Sequence, residues 1–91
     1  MSEIERQRVL YSGDVQGVGF RYTARELARA AGVGGYVRNL ADARVELVAE
    51  GTAEAIQGLL AALASEMAAY IADTIVEREV PTGERRFEIR F

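Results

Sequence analysis

The apolar residues of this chain follow two alternating spacings, and that alternation limits the folds it can adopt. From Phe20 to Ala31 the apolar side chains recur every three or four residues, and the same spacing returns between Ile56 and Met67. Each run predicts a helix with one apolar face. Because a chain of 91 residues is long enough for about two layers, both helices should cover the same side of one sheet.

Segments with strand character separate and follow the helices. They predict strands over residues 8–12, 36–40, 44–50 and 71–80, and a short final strand over 87–91. We expect residues 1–6 to be frayed and the second helix to reach about Ala69. Strand, helix, strand, strand, helix, strand is the order of two split βαβ units. The prediction is one α+β domain over residues 1–91, a two-layer ferredoxin-like α/β sandwich with an antiparallel sheet and two helices on one face.

The composition excludes several kinds of function. Cysteine and histidine are absent, which removes disulfides, thiolate metal sites and the usual general base, so we expect neither a metal nor a cofactor. The net charge of −3 argues against nucleic-acid binding. No apolar run approaches the roughly 18 residues of a membrane span, and the N-terminus lacks an apolar signal segment. We therefore expect a cytoplasmic protein.

Three glycines occupy the loop between the first strand and the first helix, at Gly13, Gly17 and Gly19. The first amides of a helix lack intrahelical acceptors, and together with the helix dipole they favour an anion. Arg21, in the first helical turn, can donate two parallel hydrogen bonds to a phosphate. The plainer alternative is a glycine-rich turn with a surface arginine, and the spacing by itself favours that alternative. The glycine spacing fits neither a Walker motif nor a dinucleotide-binding motif.

Two longer motifs add a family resemblance. The run Gly13-Asp14-Val15-Gln16-Gly17-Val18-Gly19-Phe20-Arg21 resembles the acylphosphatase pattern Gly-x-Val-Gln-Gly-Val-x-Phe-Arg. The run Gly35-Tyr36-Val37-Arg38-Asn39, followed by Val45-Glu46 and Gly51, resembles the second pattern of that family, and Phe87-Glu88-Ile89-Arg90 resembles its usual ending. The resemblance covers nearly the whole chain.

The resemblance implies a hydrolase that splits the carboxyl–phosphate bond of a small acyl phosphate and acts as a monomer. It implies that Arg21 binds the phosphate and Asn39 orients the attacking water. The implied phosphate-binding loop consists of Val15, Gln16, Gly17, Val18, Gly19 and Phe20. Phosphoryl transfer depends mainly on positioning and charge neutralisation, and a carboxylate is a good leaving group. A site without histidine or metal is therefore adequate for this substrate.

Other interpretations stay open at this point. A non-catalytic, anion-binding or regulatory acylphosphatase-like domain would keep the loop and lose turnover, although the presence of both Arg21 and Asn39 argues against it. A structural or interaction protein that uses the open sheet face or an edge strand is a further alternative, and nothing in the sequence selects it. An asparagine near a strand end is commonly a turn residue. We expect Phe20 and Tyr36 to be core residues, and the remaining polar side chains considered, Arg38, Glu46 and Glu50, to be exposed to solvent.

The chain departs from the family pattern at two positions near the implied site. Ala43 replaces a glycine that usually adopts a positive φ in the hairpin turn, so either its backbone is strained or the turn is of a different type. Asp14 is acidic where a basic residue is frequent, which places a negative charge near the mouth of the implied site.

Overall fold

The computed structural model describes residues 3–91, which form a five-stranded sheet covered on one face by two helices that contact each other. The strand order is β4-β1-β3-β2-β5. Within the described residues, no helix has the length and apolar character to cross a membrane. The predicted ferredoxin-like sandwich is confirmed. Its elements are β1 (Ile4–Gly13), α1 (Phe20–Ala31), β2 (Gly34–Asn39), β3 (Val45–Thr52), α2 (Ala53–Glu66), β4 (Ile71–Glu79) and β5 (Phe87–Arg90).

The sheet is mixed, so the expectation of an antiparallel sheet is wrong at one edge. Pairings of β1 with β3 and β4, and of β2 with β3, are antiparallel. The last strand, β5, pairs parallel to β2, with Tyr36 beside Glu88. Because β4 and β5 lie at opposite edges, residues 80–86 do not form a hairpin turn between them. The chain crosses to the far edge instead.

Several boundaries differ from the predicted ones. The first strand begins at Ile4, because residues 4–6 pair with residues 50–52 of β3; residues 1 and 2 lie outside the described range. The second helix ends at Glu66 rather than near Ala69, because the backbone of Met67 turns to a φ of −107°. The first helix ends at Gly32, with a φ of 72°.

Gly34 and Gly35, which follow the first helix closely in sequence, are part of β2. A Cβ atom on Gly35 would lie 1.9 Å from the carbonyl oxygen of Val48, and one on Gly34 would lie 2.3 Å from the carbonyl oxygen of Glu84. Close backbone contact, rather than helix termination, is therefore what requires glycine at these two positions.

The core lies between the helices and the sheet, and it holds the start of α1 in place. Phe20 is buried as predicted, and its ring centroid is 4.9 Å from that of Tyr11 on β1. The rest of the apolar stripe on α1 also faces the core, with Ala24 and Ala28 fully buried. The first turn of α1 is thus anchored to the centre of the sheet through Phe20.

The open face of the sheet carries ion pairs where solvated carboxylates were expected. Glu46 and Glu50 are 2% and 3% exposed, so the prediction that they are solvated is wrong. Glu46 accepts hydrogen bonds from Nε of Arg8 at 2.5 Å and from Nε of Arg38 at 2.6 Å. Glu50 accepts from Nη1 of Arg6 at 3.0 Å and from two backbone amides, those of residues 82 and 83, at 2.9 and 2.6 Å. Long arginine stems cover the carboxylates from neighbouring strands.

Tyr36 also lies on this open face, so its predicted place in the core is wrong. It is half-buried, and the guanidinium of Arg90 lies 4.0 Å from its ring centroid. Arg38, two residues later on the same face, is exposed as predicted, although it is paired with Glu46.

The two buried carboxylates should make folding stability sensitive to acid. Burial by itself would raise the pKa of Glu46 and Glu50, but hydrogen bonds from arginines and backbone amides outweigh burial and lower both pKa values below the ordinary 4.5. Their stabilising contribution is full above the unfolded pKa and is lost as pH falls through the folded one. We expect thermal melts to show the midpoint falling between about pH 5 and 3, and a shallower fall for Glu50→Gln. Equal slopes for the two proteins would contradict this assignment.

The hairpin turn between β2 and β3 holds Ala43 in a left-handed conformation, with a φ of 74°. An alanine in this region is strained by roughly 1 kcal/mol relative to glycine. We expect Ala43→Gly to raise the melting temperature by a few degrees, measured by circular dichroism. Ala41→Gly is the matched control, because Ala41 lies in the same turn without a positive φ and should lose stability. A lower melting temperature for Ala43→Gly would contradict the prediction.

Candidate active site

The loop between β1 and α1 relies on glycine for its backbone shape. Gly17 and Gly19 have φ values of 78° and 79°, and a Cβ atom on either would meet no neighbour within 4 Å. Glycine is therefore favoured by the left-handed conformation and not by crowding. Gly19 is the N-cap of α1 and supplies no side-chain acceptor, so the first amides of the helix are left for a ligand.

A cavity of about 180 Å³ lies where this loop meets the end of β2. It brings together the two residues implied to be catalytic, Arg21 and Asn39, which are 18 positions apart in the sequence. Of the eight predicted site residues, six line the cavity and two, Gln16 and Val18, do not. The lining consists of Val15, Gly17, Gly19, Phe20, Arg21, Tyr22 and Asn39.

The two loop residues outside the lining support the loop. Nε2 of Gln16 donates hydrogen bonds of 2.9 Å to the carbonyl oxygens of both Leu40 and Arg44. Gln16 thereby ties the loop to the hairpin that follows Asn39. Val18 is partly buried and packs against the core. Both contacts hold the loop against the rest of the domain.

Arg21 is available for a ligand. Among the described residues no carboxylate forms an ion pair with its guanidinium, although the chain carries 14 acidic residues. The guanidinium lies 4.9 Å from the ring centroid of Phe91, a cation–π contact. A guanidinium without a carboxylate partner, held beside a cavity, is suited to a phosphate.

Asn39 is the last residue of β2 and lies on the helix-facing side of the sheet, opposite to Arg38. Its Oδ1 atom is buried and has no hydrogen-bond partner within residues 3–91. A buried acceptor without a partner lowers stability by about 1–3 kcal/mol. Because Asn39 lines the cavity, a ligand or a water bound there can donate the missing hydrogen bond to its Oδ1 atom.

Two aromatic residues near the cavity were not predicted. Tyr22 lines the cavity and is 60% exposed, and the ring of Phe91 beside Arg21 is 97% exposed. Tyr22 lies off the apolar stripe of α1, so an aromatic residue on an otherwise polar helix face was the available signal. Phe91 had no such signal, because its position beside Arg21 depends on β5 pairing with β2.

The cavity therefore has features that suit a phosphate: a backbone shaped by glycine, helix amides without a capping side chain and an arginine that forms no ion pair among residues 3–91. Residues 7–89 match the family model described as Acylphosphatase. The chain is 42% identical over 90 residues to an acylphosphatase from Nostoc sp., covering 98% of this chain and 89% of the relative. It is 45% identical over 87 residues to an acylphosphatase from Roseiflexus sp., covering 94% of each.

A solved structure agrees with these relatives. The crystal structure of acylphosphatase from Bacillus subtilis aligns with a TM-score of 0.88 at 32% identity, covering 98% of this chain and all of that one. The chain therefore belongs to the acylphosphatase family. Membership supports an enzyme that hydrolyses acyl phosphates and does not favour the non-catalytic alternative.

Proposed function

We propose that this chain is an acylphosphatase in which water attacks phosphorus within the cavity between the β1–α1 loop and the end of β2. The observation that carries the proposal is that Arg21 lines the same cavity as Asn39 and the loop, and forms no ion pair with a carboxylate in the described part of the chain. The substrate is a small acyl phosphate, whose phosphoryl group enters the cavity while the acyl group stays toward solvent.

The phosphoryl group is held by charge and by backbone donors. The guanidinium of Arg21 neutralises the phosphate oxygens, and amides of the loop from Val15 to Phe20 add hydrogen bonds at the positive end of the helix dipole. Gln16 acts as a positioning residue, since its bonds to the hairpin carbonyls fix the loop. This arrangement is ready before the substrate arrives, which favours electrostatic catalysis.

The reaction needs one water and no covalent intermediate. Asn39 accepts a hydrogen bond from the water through Oδ1 and directs the water oxygen at phosphorus. The new oxygen–phosphorus bond forms as the bond between phosphorus and the acyl oxygen breaks, and the carboxylate leaves with the electron pair. A phosphate oxygen takes the water proton. The products are a carboxylate and inorganic phosphate, without a protein acid or base.

The proposal extends to the state of the protein. We propose that residues 1–91 act as one acylphosphatase-like domain, as a monomer in the cytoplasm, without a nucleic-acid partner. The net charge of −3 supports the last point, since a nucleic-acid interface wants a basic face. Light scattering of the purified protein tests whether it is a monomer. The mass of a dimer would overturn the proposed oligomeric state and leave the rest of the proposal standing.

Hydrolysis in ¹⁸O-labelled water tests the proposed reaction. Purified protein should consume acetyl phosphate and benzoyl phosphate, and the label should enter inorganic phosphate and not the carboxylate. Label in the carboxylate would show attack at the acyl carbon and would overturn the mechanism. Phosphate binding without turnover would support the anion-binding alternative instead.

Asp14 should reduce substrate capture, because it adds a negative charge one residue before the cavity-lining Val15 and its side chain is exposed. We expect Asp14→Arg to lower KM for acetyl phosphate at low salt, with kcat unchanged. The effect should shrink as salt rises above about 0.1 M, where the Debye length is about 10 Å. A KM that is unchanged, or a change that persists at high salt, would contradict an electrostatic origin.

A further inference from the structure

The arginines of this chain divide into paired and unpaired groups. Among residues 3–91, seven of the eleven form ion pairs with a carboxylate. One of the four unpaired arginines, Arg21, belongs to the proposed phosphate site. The other three, Arg29, Arg85 and Arg86, line a single cavity elsewhere on the molecule. Acidic partners are not scarce, since the chain has 14 acidic residues, so their unpaired state needs its own reason.

This second cavity lies at the opposite end of α1 from the phosphate site. Arg21 is in the first turn of the helix and Arg29 in the last, and a 12-residue helix is about 18 Å long. The helix dipole alone would account for Arg29, because a cation is favoured near a helix C-terminus. It does not account for Arg85 and Arg86, which come from the segment before β5.

The backbone that carries Arg85 and Arg86 is held against β2. The amide of Gly35 donates a 2.8 Å hydrogen bond to the carbonyl oxygen of Arg86. A Cβ atom on Gly34 would lie 2.9 Å from Cα of Arg85, so the segment packs directly on the strand. The cavity wall is therefore part of the folded structure and not a free loop.

The size and charge of the cavity indicate the ligand class. Its volume of about 470 Å³ exceeds the 180 Å³ of the phosphate site, and lies within the range of roughly 300–1,000 Å³ typical of small-molecule sites. The lining residues include three arginines and one acidic residue, Glu88, which gives them a net charge of +2. Guanidiniums bind phosphate oxygens in pairs of parallel hydrogen bonds.

We propose that this cavity binds a small molecule carrying two or more phosphate groups, at a site separate from the one that binds the acyl phosphate. The rest of its lining consists of Gly32, Val33 and Phe87, which supply a floor of backbone and buried apolar atoms. Three arginines on two elements can contact successive phosphates of one chain, whereas a single phosphate can engage one or two of them.

Calorimetric titration with inorganic triphosphate tests the proposal. The wild-type chain and Arg21→Ala should both bind triphosphate at this site. In the Arg21→Ala protein triphosphate should bind at least about tenfold more tightly than orthophosphate, because it can accept charge-assisted hydrogen bonds from more guanidiniums. The combined variant Arg29→Gln/Arg85→Gln/Arg86→Gln should lose this binding while it still hydrolyses acetyl phosphate. Each single substitution should weaken binding by several-fold, which keeps the test valid if the combined variant is unstable.

A matched control separates a site from a general charge effect. The control variant is Arg25→Gln/Arg44→Gln/Arg78→Gln. It also removes three positive charges, but from arginines that lie outside this cavity. Triphosphate affinity should change little in that control. Equal loss in both combined variants, no triphosphate binding to Arg21→Ala, or binding of heparin without binding of triphosphate would each overturn the proposal. These results are independent of acyl phosphate turnover.

Discussion

Replacing Arg21 with alanine should reduce kcat/KM for acetyl phosphate by about 10³-fold or more, the range seen for arginines that stabilise charge in phosphoryl transfer. The reason is that, among residues 3–91, Arg21 is the only arginine in the lining of this cavity. The same variant should lose competitive inhibition by inorganic phosphate. Arg21→Lys should recover only part of the activity, because an ammonium keeps the charge but not the paired donors. Initial rates over a range of substrate concentrations measure both effects.

Asn39→Ala separates binding from catalysis in the same assay. It should lower kcat by about 10²–10³-fold, the usual effect of removing one positioned polar group, and leave inhibition by phosphate nearly unchanged. Arg78→Ala is the charge control, since Arg78 is an exposed residue of β4 and does not line the cavity. If Arg21→Ala retained phosphate inhibition, or if Asn39→Ala kept full kcat, the proposed roles would be wrong.

The helices and their common face could be predicted because the information is local. A stripe such as Phe20, Ala24 and Ala28 repeats at helical spacing within 12 residues, and burial of one stripe per helix leaves a single sheet face to cover. The direction of β5 is different, because no local pattern records which edge of the sheet a short strand joins. It depends on the crossover from β4.

The open face was misjudged because its partners are far apart in sequence. Glu50 alternates with apolar residues along β3, which is the pattern of a solvated carboxylate. Its burial depends on Arg6, 44 positions earlier, and on backbone amides more than 30 positions later. A single-sequence pattern does not contain that pairing.

The candidate site was predicted mainly from one motif of nine consecutive residues, 13–21, which contains most of the predicted site residues. Arg21 and the loop glycines are adjacent in sequence, so helix-terminus electrostatics could be applied to them directly. Asn39 was predicted as a site residue only through the family resemblance, and it lines the same cavity as Arg21 in the structure. Phe91 was missed because only the assembled sheet brings it to Arg21.

Arg6→Met should destabilise the protein by about 3–5 kcal/mol, the effect of removing one partner from a buried charge cluster. Arg6 is 8% exposed and forms ion pairs of 3.0, 3.1 and 3.0 Å with Glu50, Glu79 and Glu84. Methionine fills similar space but leaves Glu50 and Glu79 without this cation, and leaves Glu84 with its 3.5 Å ion pair to Arg90. Because small domains have a total stability of roughly 5–15 kcal/mol, a loss of this size should clearly lower the midpoint of urea unfolding at pH 7.

Arg78→Met is the matched control for this prediction. Arg78 is also a strand arginine, but its side chain is 80% exposed and its ion pair with Glu5 is 3.7 Å long. An exposed pair of this kind contributes about 0–1 kcal/mol. Acid should reveal the same difference, since carboxylates without a partner no longer resist protonation: Arg6→Met should lose less stability than wild type as pH falls below about 5. Equal urea midpoints for the two variants would show that the Arg6 cluster is no more stabilising than an exposed pair.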